Sequence, residues 1–262
     1  MWSVIAGPWA FEPGVVVPVL LSGLLYAVGA GEVRVPRRMI ASFYAGLAII
    51  LVALISPLDE VADALFSAHM AQHLLLILAA APLLAYSRAA TVLFIAFPPE
   101  ARAGLSAVAR LVPRARRPIV FWLTFTGIFL FWHLPQAYLW ASESEAVHIV
   151  EHGSLLISAY AFWTMVLASQ RRTPNFGARS LFLVITAFIT DLPAVLMIFS
   201  PNVLYAVDPQ AVAAWGLTPL EDQQLAGLMM WVPASLIFFS AAIWCFARYL
   251  SPQPHRPALA SI

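Results

Sequence analysis

Of the 262 residues, 62% are hydrophobic and only 10% are charged, with fourteen basic against thirteen acidic side chains. Soluble domains carry about 25% charged residues, so this chain is expected in lipid, and a net charge of +1 offers no basic surface for nucleic acid. The single cysteine, Cys245, excludes an internal disulfide and any Cys-x-x-Cys metal or redox motif.

Runs of about 20 apolar residues mark spanning helices. They fall near 15–30, 38–56, 64–86, 118–136, 146–168, 179–200 and 223–248. The ten-residue alternation of an outer-membrane barrel does not occur. The expected fold is therefore all-α, a polytopic membrane bundle of seven transmembrane helices, with one domain over 1–250 and a disordered polar tail over 251–262 that holds His255. The opening "MWSVIAGPWAFE" lacks the basic region of a cleavable signal peptide. The patch "AATVLFIAF" after Arg88 is too short to cross and reads as re-entrant or interfacial. The stretch "PPEARAGLSAVARLVPRARR" spaces Ala101, Leu105, Val108 and Val112 on one face among arginines, the pattern of a helix lying on anionic headgroups.

The chain has no lysine, and its arginines follow the first, third, fifth and seventh spans: Arg34, Arg37 and Arg38, then Arg88 to Arg117, then Arg171, Arg172 and Arg179, then Arg248 and Arg256. By the positive-inside rule those loops are cytoplasmic, which puts the N-terminus outside and the C-terminus in the cytoplasm. Asp59, Glu60, Asp63, Glu143, Glu145, Asp208, Glu221 and Asp222 then line the outer loops, as solvated charge or as a rim that gathers cations.

On that topology His69, His73, His133, His148 and His152 all fall in the outer half of the membrane. His69/His73 and His148/His152 are each four residues apart, a spacing that puts both rings on one helix face. His133 is delivered beside them at the turn "LPQAYLWASES". Facing helices build metal sites in this way. A lone intramembrane histidine can simply bond to a neighbouring helix, but five at one depth point to a metal or cofactor. Glu151 and Asp191 are costly in hydrocarbon unless paired or protonated. Either could orient a ligating histidine. Asp222, Gln223 and Met230 open the seventh span and are further candidates, Met230 as a thioether ligand or a packing residue. Gln223, Ala226, Gly227 and Met230 share a face on which small residues allow another helix close.

Imidazole suits zinc, copper, iron and nickel alike. Five histidines exceed the needs of one tetrahedral ion, so either two ions bind or some histidines support others; a haem held by histidines is a third possibility.

The blocks "SAHMAQHLLLILAAAPLLA", "FWHLPQAYLWASESEAVHIVEHGSLLISAYAFW" and "DQQLAGLMMWVPA" resemble the CtaG-like cytochrome c oxidase assembly factors, a bacterial seven-helix membrane family. The resemblance covers roughly 60–240 and departs at "APLLAYSRAA", where the family tends to carry a longer proline-rich segment. It implies a role in maturing haem-copper oxidases in the bacterial plasma membrane. Specifically, it implies a copper chaperone that binds copper at the outer face and delivers it to an apo cytochrome c oxidase subunit. His69, His73, His133, His148, His152, Asp222 and Gln223 fall on its motif positions. Two rival readings stand beside it. One is an intramembrane zinc hydrolase using Ser67, His69, His73 and Asp191, with zinc activating a water; the other is a metal-free assembly scaffold.

Overall fold

The computed structural model describes residues 9, 11–109, 117–167 and 176–251, and among these it is all-helical, without strands. Arg110, Arg114, Arg116, Val112, Arg171, Arg172, Arg256 and the tail with His255 lie outside the described residues. Twelve helices are used below: α1 Pro13–Glu32, α2 Arg37–Ile55, α3 Pro57–Ala64, α4 Phe66–Tyr86, α5 Ala89–Ala96, α6 Pro99–Ala109, α7 Arg117–Trp132, α8 Pro135–Glu143, α9 Glu145–Leu167, α10 Phe176–Phe199, α11 Pro209–Ala213 and α12 Pro219–Leu250. Six of them, α1, α2, α4, α9, α10 and α12, are long and apolar enough to cross a membrane. A seventh span is completed only if α7 and α8 are counted together, and these meet at a bend of 74°.

That bend corrects the expected fourth span, which ran unbroken to 136 and then turned. Pro135 disfavours helical backbone at the residue before it, and Leu134 is extended (φ −76°, ψ 134°). The proline then starts a new helix, because its missing N–H is unneeded at a first helical position. The stretch read as a turn is therefore helix α8.

The third span, expected near 64–86, runs over Phe66–Tyr86. The loop before it is itself helical, because Ser56 accepts the Leu58 N–H at 3.2 Å and Pro57 takes the first position of α3. Extended Leu65 separates α3 from α4.

Helix α4 is the centre of the bundle: 67% of its most apolar stretch is buried, against 17% for the peripheral α1. It packs on α2, α3, α9 and α12. Residues Leu75–Ala80 form a wide π-turn within it. Pro82 has no N–H to offer the carbonyls one turn back, and the Ile77 carbonyl instead accepts the Trp163 indole N–H at 2.8 Å.

At its other end α4 stops at Arg88, whose left-handed backbone (φ 57°) turns the chain into α5. The short patch after Arg88 thus forms an eight-residue helix against α1, too short to span. Gly29 allows this contact, since a Cβ there would sit 2.1 Å from the Val92 carbonyl oxygen. Helices α10 and α12 form a long antiparallel pair with Gly227 at the approach, where a Cβ would stand 2.8 Å from the Ala194 carbonyl oxygen. The expected small-residue face of the seventh span is realised there. Cys245, on α12, is buried in the core.

Candidate metal centre

Three segments supply the chemistry. Helix α4 carries His69 and His73, the turn just after α7 carries His133, and α9 carries His148, Glu151 and His152. All are buried except His148, which is half-buried.

The rings are close. His69 lies 5.4 Å from His148 and 5.5 Å from His152 between centres; His73 lies 5.1 Å from His152 and 5.9 Å from His133. One ligand atom from each of His69, His148, Glu151 and His152 lies within 4.8 Å of all the others. Glu151 reaches between the two rings of α4, with Oε2 3.6 Å from His69 Nε2 and Oε1 3.6 Å from His73 Nε2. These separations exceed a hydrogen bond. They approach the roughly 3.4 Å between neighbouring ligands that each sit about 2.1 Å from one tetrahedral ion.

Buried polar atoms are normally satisfied. Among the described residues, the buried side-chain atoms without a hydrogen-bond partner are Gln72 Oε1 and otherwise only atoms of this cluster. Those atoms are His69 Nε2, both nitrogens of His73, His133 Nε2, His148 Nε2, both oxygens of Glu151 and His152 Nε2. Such a concentration of lone pairs is what a cation satisfies, so the residues fit a bound metal.

His133 is held with particular definition. Its Nδ1 lies 2.7 Å from the Phe129 carbonyl, which can only accept, so Nδ1 carries the proton and Nε2 presents a bare lone pair. Its ring stacks on Phe129 at 4.1 Å, and its own carbonyl accepts the Tyr205 hydroxyl at 2.6 Å. Burial raises the Tyr205 phenol to about 12, which keeps it a donor. Helix α9 is tied to α7 by the Trp132 indole, which donates to Ser154 Oγ at 2.8 Å.

Asp222 and Gln223 are placed differently from ligands. The Asp222 carboxylate accepts the Phe66 N–H at 2.7 Å, the Ser67 N–H at 3.1 Å and the Ser67 hydroxyl. It thereby caps α4 from across the bundle, where the free N–H groups of a helix start attract an anion. Gln223 accepts the Leu204 N–H at 2.6 Å and donates to the Met197 and Asn202 carbonyls, fastening the loop that holds Tyr205. The pair fixes the backbones that present His69, His73 and His133.

Met230 is buried among Leu74, Ile77, Phe125 and Phe129 in an apolar pocket. Asp191 accepts hydrogen bonds from Ser235 at 3.1 Å, joining α10 to α12. Ser67 and Asp191, the non-histidine members of the hydrolase set, thus have partners outside the cluster. Gln72 points away from the histidines, donating to the Ala53 carbonyl at 2.8 Å and Asp59 Oδ1 at 2.7 Å.

Sequence reasoning missed Tyr138 and Tyr205. The Tyr138 ring stands 5.7 Å from His69, and Tyr205 stacks on Phe66 at 4.4 Å beside it. Pro135 signalled the helix that carries Tyr138, whereas no local pattern marks a loop tyrosine that bonds to a backbone 72 residues away. A cavity of about 720 Å³ lies beside the cluster, with His69, His148 and His152 in its wall, Asp59, Asp63 and Glu145 among its lining, and otherwise mostly apolar sides.

A family model described as cytochrome c oxidase caa3 assembly factor matches residues 24–251. The chain belongs to the Caa3_CtaG family. All the histidines of the cluster, with Glu151, Asp222 and Gln223, fall inside the matched region. No curated protein and no solved structure matches the chain. Membership makes this CtaG-family chain a multi-pass membrane protein of cytochrome c oxidase assembly, with the oxidase as its implied partner.

Proposed function

We propose that this CtaG-family chain binds copper in the histidine and glutamate cluster and passes it to an apo subunit of the oxidase it helps to assemble. The observation that carries the reading is the set of unpartnered ring nitrogens and carboxylate oxygens buried together on α4, on α9 and in the turn after α7. Neutral imidazoles with one carboxylate suit copper or zinc. Copper is favoured because the family serves a haem-copper enzyme that must receive it. A donor set without thiolate holds copper loosely enough to release it.

The arginine distribution supports a bacterial cytoplasmic membrane with the N-terminus outside, the C-terminus inside and the cluster towards the outer face. Ions approach through the cavity, past Asp59, Asp63 and Glu145, whose charge concentrates cations at its mouth. The Asp222 cap and the Gln223 clamp keep the ligands in place while the ion leaves.

The test is metal analysis of protein purified without added metal, read with electron paramagnetic resonance. Copper is expected in the wild type and is reduced in His73→Ala and His148→Ala. Copper content unchanged in both variants overturns the proposal. Zinc as the native ion, with hydrolysis of a lipid amide, would favour the hydrolase.

A further inference from the structure

We infer that Glu151 bridges two ion positions, the first made by His69, His148 and His152 and the second by His73 and His133. The inference rests on the cluster binding metal and goes beyond it in number and arrangement. A carboxylate in one ion's coordination shell needs only one of its oxygens. Here the two oxygens address different histidines one helical turn apart, Oε2 to His69 and Oε1 to His73, each at 3.6 Å.

The donors divide accordingly. His69, His148, His152 and Glu151 already complete a four-ligand set within 4.8 Å, which is the full complement of a tetrahedral ion. His73 and His133 remain, with ring centres 5.9 Å apart. Two imidazoles sharing one ion place their ring centres roughly 5–6 Å apart, given bonds of about 2.0–2.1 Å. With Glu151 Oε1 they form a three-ligand set, and such sets leave a position open for exchange.

A supporting role for His133 would need a hydrogen bond from His73, and none is made. A group that steadies a ligating histidine accepts the N–H of its other ring nitrogen, and His133 Nε2 and both nitrogens of His73 are without a hydrogen-bond partner. The only proton of neutral His133 goes to the Phe129 carbonyl, so towards His73 it offers a lone pair and nothing to donate. His73 is buried with neither ring nitrogen partnered. A cation between them satisfies both.

The experiment titrates the purified full-length chain in lipid nanodiscs with copper(II) chloride and reads both copper per chain and the paramagnetic resonance spectrum. Two coppers per wild-type chain are expected, with signal intensity well below the copper content because carboxylate-bridged ions couple magnetically. His133→Ala is expected to retain one copper with a full-intensity, isolated signal. The wild-type spectrum decides the question even if that variant fails to fold. One copper per wild-type chain at full intensity, or two without coupling, overturns the bridge and leaves metal binding standing. No copper at all overturns the metal-binding reading itself.

Discussion

Asp222 shows how a motif residue can matter without touching a ligand. Its carboxylate takes two backbone N–H groups and one hydroxyl at the buried start of α4. Hydrogen bonds to a charged group contribute up to about 3 kcal/mol. Asp222→Ala is therefore expected to cost roughly 2 to 3 kcal/mol and to weaken copper binding as His69 loses its anchored turn. Thermal unfolding and copper titration of the same preparation check both.

Asp59 gives a pH dependence. Burial raises its carboxyl above the ordinary value of 3.8, opposed in part by the Gln72 hydrogen bond. The unfolded chain therefore releases this proton first as pH rises. The fold loses stability from 3.8 up to the raised value and stays at that level above it. Asp59→Asn keeps an oxygen for Gln72 and removes the ionisation. It is expected to raise the unfolding temperature near neutral pH and to leave it unchanged below 3.8. An unfolding series against pH would show the two curves merging in acid.

At the scale of elements, the site depends on where helices break. Pro135, three residues after the last residue of α7, starts a new helix and leaves His133 at the corner, with its Nδ1 against the Phe129 carbonyl. The π-turn in α4 follows from Pro82 and is held by Trp163. Both prolines were visible in the chain, and Pro135 could have announced α8 as a helix start. The π-turn could not have been read locally, because its carbonyl partner lies 86 residues away. Packing between elements is tight at Gly227, where a side chain would press on the α10 backbone. Gly227→Val is expected to cost about 1–3 kcal/mol by overpacking and to disturb the adjacent Asp222 and Gln223, seen as a lower unfolding temperature and reduced copper retention.

For the whole molecule, the proposed delivery at the outer face rests on orientation. Cys245 is buried, so the wild type offers little background to a membrane-impermeant maleimide. Glu60→Cys and Arg34→Cys place thiols at exposed positions in opposite loops. Glu60→Cys is expected to react in intact cells and Arg34→Cys only after permeabilisation; the reverse pattern would sink outer-side delivery. Long apolar runs, four-residue histidine spacing and one-sided arginines are properties of the chain itself, set by the thickness of a bilayer and the pitch of a helix. From them alone the all-helical membrane class, six of the spans to within a few residues and the shared depth of the five histidines could be read. Which polar groups are left facing one another and which are spent on fastening the backbone was decided only in three dimensions. Glu151 and Asp222 are both carboxylates beside motif residues, yet one is buried facing imidazoles and the other is spent on a helix start. That difference arises from contacts between helices far apart in the chain, where an unsatisfied buried charge costs too much to be left without either a cation or a donor.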